Sequence, residues 1–151
     1  MIKLTEEQIS DIAQDLEAGL KCFIHKVTGE VKTLPDELNS NMEMDEELWQ
    51  DVIDEIDNDA ENFIVIEGMD SRESYILMEK FIDTLEDKQI AARLTNAINV
   101  PKPFHTFRYE LNYSDEYLQK WYAFKSQQMI EWVKKHLLLN TGNENEEEEE
   151  M

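Results

Sequence analysis

Apolar positions along this chain switch between helical and alternating spacing, and the switches mark the elements. Ile9, Ile12, Ala13 and Leu16 recur at helical spacing. Thr5 and Gln8 ahead of them have capping-box spacing, and Gly19 fits the left-handed position after a helix. Leu20–Val27, Thr28-Gly29 and Glu30–Leu34 then read as a β-hairpin turning at Gly29. Its register stays open, because a two-residue turn and a bulged turn place Ile24 opposite different residues. Pro35-Asp36 ends the second strand. Over residues 45–57, Leu48, Trp49, Val52, Ile53 and Ile56 fall on one helical stripe, with acids on the other side. The stripe predicts that Leu48, Val52, Ile53 and Ile56 are buried.

Phe63–Glu67 reads as a short apolar strand. Gly68-Met69-Asp70 turns it into a further helix, where Asp70 and Glu73 have capping spacing ahead of Tyr75, Met78, Ile82 and Leu85. A helix over Lys88 to Ile98 follows. Pro101 and Pro103 break the pattern, and a short helix restarts at Pro103 with Phe104, Phe107 and Leu111 inward. Ser114-Asp115-Glu116 opens the last and longest helix, to about Leu139. From Asn140 no apolar residue occurs until Met151, so the tail at 140–151 is expected to be disordered.

These elements predict an α+β fold. A small antiparallel sheet, from the 20–34 hairpin and a 62–67 strand, is expected to pack against a mostly helical C-terminal half. The 151 residues suit a single domain over 1–139 followed by the acidic tail. Cys22 is the only cysteine, so the chain can form no internal disulfide and no thiolate zinc cluster. The first residues lack a basic region followed by an apolar stretch, and Phe63–Ile66 and Leu137–Leu139 are too short to span a bilayer. The expectation is a soluble cytoplasmic protein with no membrane role.

Charge changes the picture most. Between Lys32 and Arg72 the chain carries fourteen carboxylates and not one Lys or Arg. Residues 1–70 hold 20 acids and 4 bases, while residues 71–139 hold 9 acids and 10 bases. A block this one-sided repels nucleic-acid backbones and anionic membranes and attracts basic partners or cations.

The motifs are weaker. Asp57-Asn58-Asp59-Ala60-Glu61 is the nearest thing to a calcium loop. It fails where Gly and a bidentate Glu are needed, at Asn62 and Gly68. No metal site or cofactor is expected. His25, His105 and His136 show no paired metal spacing. Cys22 reads as a small apolar strand residue rather than a nucleophile. Asp70, Ser71 and Arg72 stand at a strand-to-helix turn whose amides could favour an anion, but Asp70 is placed to cap them itself. Lys102, Phe104, His105, Phe107, Arg108 and Tyr109, with Lys120, Trp121, Tyr122, Phe124 and Lys125, mix bases and rings as nucleic-acid binders do. Helical spacing puts Phe104, Phe107, Trp121 and Phe124 in a core instead. The surrounding charge argues against direct nucleic-acid binding.

Three stretches carry a resemblance. They are Asp70-Ser-Arg-Glu-Ser-Tyr through Leu85-Glu-Asp87, Pro103-Phe-His-Thr-Phe-Arg-Tyr-Glu-Leu111 and Trp121-Tyr-Ala-Phe124. Together with Thr28-Gly-Glu-Val31 and Leu34-Pro-Asp36, they resemble a bacterial family of unknown function, numbered 0158 in the uncharacterised protein family series. The resemblance covers roughly residues 20–138. It implies a small bacterial cytoplasmic domain and supplies no catalytic residues.

The expected function is therefore a non-catalytic binding or regulatory role, with the acidic 36–70 surface facing a basic protein partner. The candidate binding residues are Asp51, Asp54, Glu55, Asp70, Ser71 and Arg72. The alternatives are a small hydrolase with a carboxylate and histidine near the Asp70 turn, and a nucleic-acid mimic or RNA-associated factor.

Overall fold

The computed structural model describes residues 3–36 and 45–150, with the side chains of 141–150 outside the description. Glu37 and Glu43 of the acidic block therefore lie outside the described residues. The backbone divides into two compact units, Met1–Gly68 with Gln128–Met151, and Met69–Gln127.

The first unit is built on a three-stranded antiparallel sheet in the order β2-β1-β3. Its strands are β1 Leu20–His25, β2 Val31–Pro35 and β3 Phe63–Ile66. Helix α1, Glu6–Glu17, starts with the capping box that Thr5 and Gln8 encode: Gln8 N donates to Thr5 Oγ1 at 3.1 Å and Thr5 N to Gln8 Oε1 at 2.9 Å. Gly19, at φ 91°, takes the left-handed turn that admits the chain into β1. The register pairs Ile24 with Val31 on one side and with Ile64 on the other, and Cys22 with Ile66. That places Cys22, Ile24, Ile64 and Ile66 on one face, all buried, toward the Ile9, Ile12, Ala13 and Leu16 stripe of α1.

The hairpin turn decides the register. Neither of the two turns considered from sequence is used. A four-residue connection, Lys26–Gly29, is closed by His25 N donating to Glu30 O at 2.8 Å and Gly29 N to His25 O at 2.9 Å. Gly29 supplies the positive φ of 76° that this closure needs.

Helix α2, Glu46–Asn58, lies against β2 on the opposite face of the sheet, where Leu34 and Ile56 are buried. The expected burial of its whole stripe is corrected here. Ile56 is buried and Val52 and Ile53 are half-buried, but Leu48 is 74% exposed. Ties to the sheet come from the second half of the helix, at Glu55 and Ile56.

The second unit holds α3 Ser71–Asp83, α4 Lys88–Ile98, α5 Pro103–Leu111 and the start of α6, Asp115–Glu150. Met78, Phe81, Ile82, Leu85, Leu94, Ile98, Phe107 and Leu111 form its core, with Trp121 and Phe124 half-buried against it. The rings of Phe81 and Phe107 meet Trp121 edge-on at 5.2 and 5.0 Å. Contacts of this kind add about 0.5–1.5 kcal/mol each beyond area burial. Phe107 and Leu111 point inward as their spacing predicts, but Phe104 does not and is 42% exposed. Helical side chains lean toward the N-terminus, so a first-turn residue overhangs the core its successors fill.

The helices fall mostly in the C-terminal half, which makes the fold α+β. The backbone of α6 continues past Leu139 to Glu150. Glutamate is a good helix former, and no proline interrupts the run. Among the described residues, no helix is long and apolar enough to cross a membrane.

Candidate functional site

The acidic block is organised by α2. Asp45 caps the helix, its carboxylate accepting from Glu47 N at 3.1 Å and Leu48 N at 3.4 Å. Glu46 and Glu47 occupy the first turn, where negative charge complements the helix dipole. Further along, the charges no longer favour the helix. Glu47, Asp51 and Glu55 follow at i, i+4 and i+8, and like charges at this spacing destabilise by about 0.2–0.5 kcal/mol per pair. The last turn holds no base to offset the negative end of the dipole.

Partners at Glu55, Asp54 and Asp59 relieve part of this repulsion. Glu55 is ion-paired with Lys32 of β2, and Lys32 also reaches Glu30 at 3.0 Å. The Glu55 carboxylate first, then Glu30, pushes the Lys32 ammonium above its ordinary pKa. Asp54 accepts from Gln50 Nε2 at 2.8 Å. Asp59, just past the helix, accepts from Asn62 Nδ2 at 2.6 Å and from His25 Nε2 at 2.8 Å. Those donors, Asn62 foremost, hold the Asp59 carboxyl below its ordinary range.

Glu47, Asp51 and Asp54 remain exposed and make no ion pair among the described residues. Leu48 stands exposed beside them, one residue from Glu47 and three from Asp51. The site is thus an exposed helical face carrying carboxylates without an ion pair among the described residues, and an exposed leucine. Such a face attracts basic groups and repels anions.

The sequence-proposed residues are not all alike in this setting. Asp51 and Asp54 are exposed without an ion pair among the described residues, Asp54 holding only Gln50 of its own helix. Glu55 is committed to Lys32, 23 residues away. Asp70, Ser71 and Arg72 belong to the other unit and are exposed. Asp70 caps α3 through a capping box, accepting from Glu73 N at 2.8 Å while Asp70 N donates to Glu73 Oε1 at 3.2 Å. Its carboxylate thereby takes one of the amides an anion would need, and its charge opposes an anion there.

The carboxylate–histidine pair that does form is elsewhere. His25 faces Asp59, and its Nδ1 accepts from Val27 N and Thr28 N, each at 3.1 Å. Two backbone donors fix Nδ1 as the bare nitrogen, so Nε2 carries the proton toward Asp59. Both ring nitrogens are occupied in holding the hairpin turn, which leaves none for proton transfer to a substrate. His136 has one ring nitrogen engaged, its Nδ1 donating to Trp132 O at 2.8 Å. Cys22 is fully buried, and burial first, then Asp15, pushes its thiol up to about 12, far from a nucleophilic thiolate. Among the described residues, no group of three His, Cys, Asp or Glu could hold a metal ion.

Sequence reasoning missed two features. One is the exposure of Leu48, since periodicity marks an apolar stripe without saying what covers it. The other is the pairing of His25 with Asp59 across 34 residues, which no local spacing encodes.

A family model described as "Uncharacterised protein family (UPF0158)" matches residues 3–149. A UPF0158 protein of Pseudomonas aeruginosa is 31% identical over 78 residues, which are 52% of this chain and 51% of that protein. The chain spans about half the length of this curated relative. No solved structure matches it significantly.

Proposed function

Because the chain belongs to the uncharacterised protein family UPF0158, whose name assigns no activity, we propose its function from its own surface: a non-catalytic binding protein that presents the outer face of α2 to a basic protein partner. One observation carries the reading. Glu47 and Asp51 keep a self-repelling helical spacing beside an exposed Leu48, although α2 would be steadier with a base in place of Asp51. A basic partner removes both penalties, since its cations neutralise the row and its apolar surface covers Leu48. Asp51 and Asp54 are the central charges. Asp70, Ser71 and Arg72 have no part in this reading, because they lie outside α2, at the start of α3.

The test is affinity capture from a bacterial lysate on the immobilised full chain, with retained proteins identified by mass spectrometry. Wild type should retain a discrete set of basic proteins that leave at high salt. The double variant Asp51→Lys, Asp54→Lys should not retain them. Equal retention by both would overturn the proposal.

A further inference from the structure

Four aromatic side chains of the second unit face outward. Phe104 is 42% exposed, Tyr109 53%, Tyr113 66% and Tyr122 38%. They form one surface with Arg108. Phe104 and Arg108 lie one turn apart on α5, and Arg108 Nη2 donates to the Tyr122 hydroxyl of α6 at 3.1 Å. Tyr109, beside Arg108, meets Tyr113 edge-on with ring centres 5.3 Å apart and hydroxyls 2.6 Å apart. Next to them Arg93 reaches Glu110 at 2.9 Å.

Single exposed apolar residues are ordinary, but a contiguous patch marks an interaction surface. An aromatic side chain can bury about 150–250 Å², so the exposed fractions here total roughly 400 Å² of ring surface. The exposed flanks, Arg108, His105 and Asn112, bring the face toward the roughly 800 Å² that each partner contributes to a stable interface. Tyrosine, phenylalanine and arginine are also the residues that interface centres favour.

We propose that this α5–α6 surface is where a second copy of the chain docks, patch against patch across a two-fold axis. Such a contact requires a patch that is its own complement. This one holds tyrosine hydroxyls that both donate and accept, at Tyr109, Tyr113 and Tyr122. Charge selects the same face. The chain carries −21 overall, and copies meeting through the 36–70 block would repel. Residues 69–127 hold nine acids against eight bases, so copies can meet there without that penalty. The same balance disfavours a nucleic acid, which would stack on these rings but needs an excess of positive charge beside them.

This inference does not rest on the acidic-face reading, and salt separates the two. Screening weakens the capture of a basic partner, whereas it relieves repulsion between two acidic copies. The experiment is sedimentation velocity of the full chain from micromolar to near-millimolar concentration, at low and high salt. The expected result is a concentration-dependent dimer that persists or strengthens as salt rises. Tyr109→Ser with Tyr113→Ser should weaken dimerisation about tenfold or more, with unchanged circular dichroism. Phe104→Ser should weaken it independently, and Asp51→Lys with Asp54→Lys should not weaken it. A chain that stays monomeric throughout, or a dimer indifferent to all three aromatic substitutions, would overturn the proposal. So would tight binding of a labelled oligouridylate at moderate salt that the tyrosine variant loses.

Discussion

His25 of β1 donates its Nε2–H to Asp59 at the end of α2, 2.8 Å away, while its Nδ1 receives the amides of Val27 and Thr28. One ring thus ties the hairpin turn to the chain segment that enters β3. His25→Ala should remove all three bonds and lower stability by on the order of 2 kcal/mol in denaturant titration. Asp59 has a folded pKa below its ordinary 3.8. Its stabilising share is therefore complete above that pH and fades as pH falls through the folded value. The gap in thermal midpoint between wild type and Asp59→Ala should stay constant near neutrality and narrow below about pH 4. A gap that widens in acid would contradict the lowered pKa.

Cys22 should be chemically silent in the native protein. It has no exposed surface, and its thiol is pushed up to about 12. Labelling by a thiol reagent should proceed only at the rate of global unfolding, tracked in parallel by tryptophan fluorescence. Rapid labelling without unfolding would mean that the sheet opens locally between β1 and α1.

Asp70→Ala should cost about 1 kcal/mol, the ordinary value of an N-cap. Ser71→Ala and Arg72→Ala should stay within about 0.5 kcal/mol of wild type, since both side chains are exposed on the first turn. Thermal or urea unfolding of the three variants decides this. A neutral Asp70→Ala would show that the start of α3 is held by something other than its cap.

The tail should be dispensable for stability. From Asn140 to Glu150 the sequence offers no apolar residue to bury, and six glutamates repel one another. Ending the chain after Leu139 should leave the thermal midpoint nearly unchanged. A fall of several degrees would mean that the segment docks on the folded chain.

The fold was legible wherever a local rule decides the outcome. Thr5 with Gln8 and Asp70 with Glu73 announce α1 and α3, because a capping box is a contact between residues three apart. The spacing of apolar residues places α4 over Lys88–Ile98. The hairpin was legible in place but not in register, because the register depends on a turn closed partly by His25, whose second partner, Asp59, lies 34 residues on. The acidic block was legible as a charge pattern, and only the fold shows which acids are free. Glu55 meets Lys32, the nearest upstream base, which sequence places outside the block. Leu48 and Phe104 share one reason for being misread. Both sit in a first turn, where helical phase points toward a core that the helix has not yet reached.

The central claim is that the outer face of α2, rather than bulk negative charge, selects a basic partner. The direct measurement is the association rate with a captured partner across a salt series, for wild type and two charge-matched variants. Asp51→Lys with Asp54→Lys alters the α2 face, and Glu79→Lys with Asp83→Lys makes the same net change on the exposed side of α3. Glu55 is left intact in both, because reversing it would break its pair with Lys32. The account predicts a steep fall of rate with salt for wild type and for the α3 variant, and a slow, nearly salt-independent rate for the α2 variant. Equal slowing in the two variants would contradict it, because the partner would then be reading net charge alone.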